Sequence, residues 1–103
     1  MFVARWQIDA RFGHKQNVID LLRKWEREIG RQAGIDKMDL KILTGSIGAR
    51  ESTIEANHSV ESLAQLEEFF AKIGKIEAHK QWSKDLEPFV VSGSPRWDIY
   101  RVV

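Results

Sequence analysis

The chain has 103 residues, 43% of them hydrophobic, with four tryptophans, five phenylalanines and no cysteine. That length supplies one domain, residues 1–103, with a modest buried fraction, so association with a second copy is a natural way to cover more apolar surface. Sixteen basic against 15 acidic residues leave no strong field for nucleic acid or an anionic membrane, and the missing cysteines exclude disulfides, thiolate metal sites and cysteine nucleophiles.

The opening stretch "MFVARWQIDARF" carries charge at Arg5 and lacks the apolar core of a secretory signal. No apolar run approaches the ~18 residues that span a bilayer. The expectation is a soluble, cytoplasmic protein without membrane or nucleic-acid partners. Within the same stretch Phe2, Ala4, Trp6, Ile8 and Ala10 alternate with Arg5, Gln7 and Asp9, the period of a half-buried strand. After Gly13, Val18, Leu21, Leu22, Trp25 and Ile29 form a helical stripe, with stops at Gly30 and Gly34.

Two further strands follow. "KMDLKILT" sets Met38, Leu40 and Ile42 against Lys37, Asp39 and Lys41, and "ESTIEANH" sets Ile54 and Ala56 against Thr53, Glu55 and Asn57. The link "GSIGAR" between them is hairpin-like. Ser59 or Ser62 caps a helix carrying Leu63, Leu66, Phe69, Phe70 and Ile73 and ending at Gly74. A third helix runs from about Ile76 to Phe89, with Pro88 disfavouring helical geometry at Glu87. "SGSP" turns the chain into a last strand, "RWDIYRVV".

The order β-α-β-β-α-α-β is a split βαβ pattern, an α+β ferredoxin-like layout in which a four-stranded antiparallel sheet carries its helices on one face. The other face holds Arg5, Gln7, Asp9, Asp39, Lys41, Glu55 and Asn57, joined by Asp98 or Trp97 depending on register. That face is either solvated or closed against a second copy. The middle hairpin lacks the exposed aromatics and basic-aromatic signature of an RNA-recognition module.

In size, in its extended second helical region and in the segment "VESLAQLEEFFAKIGKIEAHKQWSKDLEPFV", the chain resembles the dimeric α+β barrel superfamily over its whole length. Members include antibiotic-biosynthesis-type monooxygenases, small haem-degrading monooxygenases, NIPSNAP-like and stress-responsive barrel proteins. The resemblance implies a homodimer whose two sheets pack face to face, each subunit keeping a cleft between sheet and helices. "KIEAHKQWSK" is similar to the helix that supplies the axial histidine of the haem-degrading members, which would make His79 a haem ligand. Those enzymes place a tryptophan where this chain has Phe69, and a first-strand asparagine where it offers Arg5, Trp6 or Gln7. The resemblance therefore reaches haem binding further than haem degradation.

His79 is the central candidate. On a helical wheel it falls inside the apolar arc of Ile76, Trp82, Leu86, Phe89 and Val90. Two readings follow: a core histidine bonded to a neighbour, or a catalytic group facing the cleft as general base or substrate hydrogen-bond partner. If the cleft is a pocket, Trp6 and Ile8 from the first strand, Phe69 and Phe70 from the middle helix and Trp82 beside His79 are its expected ligand-binding walls. Trp25 is expected in the core, His58 at the surface where the hairpin ends, and His14 in solvent. The histidine spacing supports no metal site, and no cofactor other than haem is suggested. The functional expectation is a small apolar or aromatic ligand, with cofactor-independent monooxygenase or isomerase chemistry, or alternatively a small-molecule or haem carrier or sensor.

Overall fold

The computed structural model describes residues 1–103. The elements in chain order are β1 (Phe2–Asp9), α1 (Lys15–Glu28), β2 (Lys41–Thr44), β3 (Thr53–Val60), α2 (Leu63–Gly74), α3 (Glu77–Leu86) and β4 (Arg96–Arg101), with single 3₁₀ turns at Gly30–Ala33, Ile35–Lys37 and Glu87–Phe89. The strands form one antiparallel sheet in the order β2-β3-β1-β4. The helices cover one face, as the expected α+β architecture requires. No helix is long and apolar enough to cross a membrane.

The core follows from the two periodicities. Inward positions of β1 and β3, among them Ala4, Ile8, Ile54 and Val60, meet Val18 and Leu22 of α1, Leu66, Phe69 and Ile73 of α2, and Trp82 and Leu86 of α3. The Ser62 hydroxyl accepts the Gln65 N–H at 3.1 Å and so begins α2. Pro88 ends regular helix at Leu86, and one 3₁₀ turn carries the chain on to Phe89.

The expected strand over 37–44 is corrected. Pairing with β3 covers only Lys41–Thr44. Asp39 sits at φ 46°, a left-handed conformation that interrupts extended backbone before the strand begins. Met38 is buried nonetheless, and its carbonyl accepts the Ser59 N–H at 2.7 Å. Asp39, expected on the open sheet face, is an exposed turn residue outside the sheet.

The register of β4 resolves the choice left open between Trp97 and Asp98. Trp97 pairs with Trp6, so both lie on the helix side, while Asp98 pairs with Arg5 on the open face. The small side chains of Ala4 and Ala56 alternate on that helix side with Trp6, Trp97 and His58. This alternation leaves room above the sheet for rings to meet across strands.

Candidate functional site

Those rings surround a cavity of about 780 Å³ between the sheet and all three helices. On the sheet side, His58 stacks on Trp97 at 5.6 Å, and Trp97 lies 6.5 Å from Trp6. Trp6 continues to Trp82 at 6.5 Å, and Trp82 stacks on His79 at 5.9 Å. The circuit returns through Trp25, 6.4 Å from His79, and Phe69, which lies 6.2 Å from Trp25 and 5.8 Å from His58. Seven rings from six elements thus close on one another around the space. Offset and edge contacts of this kind stabilise a pre-formed aromatic wall.

Two indole N–H groups hold the helical half in place. Trp82 donates to the Leu21 carbonyl at 2.7 Å, tying α3 to α1. Trp25 donates to His79 Nδ1 at 3.0 Å. An indole N–H only donates, so Nδ1 carries the lone pair and the neutral ring bears its proton on Nε2. Burial lowers the His79 pKa, which also favours the neutral ring. His79 is half-buried and faces the cavity. The hydrogen-bonded and cleft-facing alternatives are both realised in one side chain.

Of the expected walls, Trp6, Phe69, Phe70 and Trp82 line the cavity together with His79. Ile8 does not: it is fully buried in the core opposite Ile54, because its position on β1 lies beyond the ring cluster. Trp25, expected in the core, is half-buried and shared between core and cavity.

The largest correction is His58, expected at the surface and found 3% exposed. β3 does not stop at His58 but runs to Val60, so the inward series Ile54, Ala56 continues through His58. The signal was present in the unbroken alternation of "TIEANHSV". His58 Nδ1–H donates to the Ala4 carbonyl over a long 3.4 Å, while Nε2 is buried without a partner in the chain. Burial pushes the imidazole down to about 4. His14 is exposed as expected, its Nδ1 3.1 Å from the Asn17 side-chain nitrogen.

Arg11 and Glu87 are the charged residues of the cavity lining, both exposed at its rim. Arg11 Nε donates to the Val90 carbonyl at 3.3 Å, fixing the mouth segment 90–95 against the end of β1. The rest of the lining carries no Asp, Glu, Lys or Arg. No group of three or more His, Asp or Glu side chains is arranged to hold a metal ion.

Sequence comparison finds no matching family model and no similar curated protein. Solved structures are similar in fold. A NIPSNAP family protein from Agrobacterium tumefaciens superimposes with a TM-score of 0.80 at 18% identity, covering 99% of this chain and 92% of that one. An uncharacterized NIPSNAP-like domain protein from Burkholderia xenovorans gives 0.77 at 17% identity, covering 99% and 84%. A candidate antibiotic biosynthesis monooxygenase from Nitrosomonas europaea gives 0.71 at 12% identity, covering 100% and 99%. The chain therefore has the α+β fold that NIPSNAP and antibiotic-biosynthesis-monooxygenase-type proteins share.

Proposed function

We propose that this chain, sharing that fold, is a homodimer that binds a small apolar or aromatic molecule in the helix–sheet cavity of each subunit. The observation that carries the reading is the closed circuit of seven rings around about 780 Å³, with charge confined to the rim. Such a space is wide enough for a two- or three-ring molecule and offers its flat faces aromatic contact. The second copy would close the open sheet face, where Arg5 and Glu55 form a 2.8 Å ion pair, Asn57 Oδ1 is buried without a partner and Tyr100 and Leu43 stand exposed.

The likeness to a candidate monooxygenase favours a second reading, cofactor-independent oxidation or isomerisation of the bound molecule. That chemistry begins with removal of a proton from a conjugated substrate. His79 is poorly placed to take it, since Trp25 occupies its lone pair. His58 Nε2 has no partner but is buried away from the open cavity, and an imidazole pushed down to about 4 is a weak base. Binding is thus better supported than base catalysis.

Haem carriage with His79 as axial ligand fits less well. Ligation through Nε2 needs the proton on Nδ1, where it would face the Trp25 N–H donor to donor. The residues present do not suit haem without breaking that hydrogen bond.

Titration with 2-naphthol, followed by tryptophan fluorescence, tests the main reading. Saturable quenching at one site per chain is expected, weakened at least tenfold in Ala56→Leu, which places a larger side chain at the cavity wall. Quenching that never saturates, or that Ala56→Leu leaves unchanged, removes the cavity as a binding site.

A further inference from the structure

We infer that the cavity's ligand is a planar aromatic monocarboxylate, its rings among the aromatic walls and its carboxylate held at the mouth by the Arg11 guanidinium. This rests on the cavity-binding reading and deepens it, giving the ligand a charge and an orientation.

Arg11 is the only basic side chain of the lining, and it is exposed at the mouth. Its Nε donates to the carbonyl of Val90, which itself lines the cavity, and this fixes one edge of the planar group there. A guanidinium carries five N–H donors, and those on the two Nη atoms have no partner in the chain. Nor is Arg11 ion-paired: the cations of the chain's ion pairs are Arg5, Lys41, Lys72, Lys80 and Arg96. Glu87 lines the same cavity, yet the two do not pair. Charge balance within the chain therefore gives Arg11 no role.

Anchoring gives it little more. Backbone bonds already tie the mouth segment to the end of β1, the Arg11 N–H donating to the Phe89 carbonyl and the Val91 N–H to the Asp9 carbonyl, both at 2.8 Å. Ala10 and Val90 form an antiparallel bridge between them. Beside these bonds, the 3.3 Å contact from Nε orients the guanidinium more than it holds the chain.

The cavity runs inward from this point along α3 and the turn after it. Val90, Leu86, Trp82 and His79 line it in succession, at helical spacing. From Glu87 to His79 the helix axis covers roughly 12 Å, room for two fused rings with a terminal carboxylate. A fixed guanidinium and a carboxylate meet as two parallel hydrogen bonds, a geometry that no neutral group reproduces. The Glu87 carboxylate makes no hydrogen bond that orients it, and its charge disfavours a second anionic group on the ligand.

Calorimetric titration at about pH 7.5 compares 2-naphthoate, ionised there, with its neutral isostere 2-naphthamide and with 2-naphthylmethylammonium. The wild-type chain is expected to bind 2-naphthoate at least about fivefold tighter than either, the worth of a good ion pair at an exposed rim. High salt should shrink that preference. Arg11→Gln should bind 2-naphthoate and 2-naphthamide alike, and Arg11→Lys should keep part of the preference as a point charge. Equal affinity of wild type for 2-naphthoate and 2-naphthamide, with 2-naphthol still bound, overturns the carboxylate assignment and leaves the cavity reading standing. Tightest binding of the ammonium probe overturns it in favour of Glu87. An Arg11→Gln protein that still prefers 2-naphthoate overturns the part given to Arg11. Binding of none, 2-naphthol included, overturns the cavity reading and this inference with it. Where Arg11→Gln does not fold, the wild-type comparison and its salt dependence decide.

Discussion

At the scale of single residues, the two cavity histidines make separable claims on stability. His58 is pushed down to about 4 in the folded chain, against the ordinary 6.5. As pH falls the unfolded chain takes the proton first, so stability is full above about 6.5 and is lost progressively toward about 4. The whole effect is on the order of 3 kcal/mol. Burial shifts His79 in the same direction, adding to the loss on the acid side. Urea unfolding across this range should show the decline in wild type and a shallower one in His58→Phe; parallel curves would mean that His58 titrates normally. His79→Leu has a different consequence, because it strands the Trp25 indole N–H. A loss of about 1 kcal/mol is expected, since Trp25 is half-buried and water replaces part of the bond. Affinity for 2-naphthol should fall at least tenfold in the same protein. A destabilised His79→Leu chain that binds the probe normally would reduce His79 to a structural role.

At the scale of elements, the cavity depends on how α1 ends. Gly30 follows the helix cap at Ile29, and a Cβ added there would stand 2.8 Å from both the Trp25 ring edge and Ile35 Cγ2. A ring edge cannot yield as a flexible chain end does, so Gly30→Ala should displace Trp25 or the turn that carries Ile35. The expected cost is about 1–3 kcal/mol. Because Trp25 also holds His79, probe affinity should weaken with stability, and measured Tm and quenching of Trp fluorescence should move together. A fully stable Gly30→Ala chain would show that the turn relaxes freely. In sequence Gly30 reads only as a helix stop. Likewise the alternation of Met38, Leu40 and Ile42 reads as strand, yet Asp39 turns the backbone and pairing begins at Lys41. Burial of Met38 is legible from its apolar character, but the route by which the chain delivers it is not.

At the scale of the whole molecule, the open sheet face is the one the helices leave uncovered. Arg5 makes two hydrogen bonds to Glu55 Oε1, at 3.0 and 2.8 Å, and lies 5.4 Å over the Tyr100 ring. The pair is only partly exposed within one chain, and a second copy would remove it further from water, where a close ion pair needs all its partners. A homodimer burying roughly 1,600 Å² or more is expected, stable at micromolar concentration in sedimentation equilibrium. Glu55→Lys would place like charges beside Arg5 on both copies and should weaken association at least tenfold. A monomeric wild-type chain at the same concentration would leave the face solvated and remove the dimer.

The sequence by itself determined the element types, their order, and which face of most elements turns inward, because burial follows a backbone period of about 2 or 3.6 residues that short stretches carry locally. It also brought Trp6, Phe69, Phe70, His79 and Trp82 into view as one wall. Tertiary structure decided what those residues do. His79 is an acceptor toward Trp25 only because α1 and α3 meet, 54 residues apart along the chain. His58 meets the Ala4 carbonyl only because β3 pairs with β1, also 54 residues away. Trp97 rather than Asp98 faces the helices because of a register set by pairing with β1. A ring's tautomer and the space beside it depend on atoms distant in sequence, and no local period encodes them.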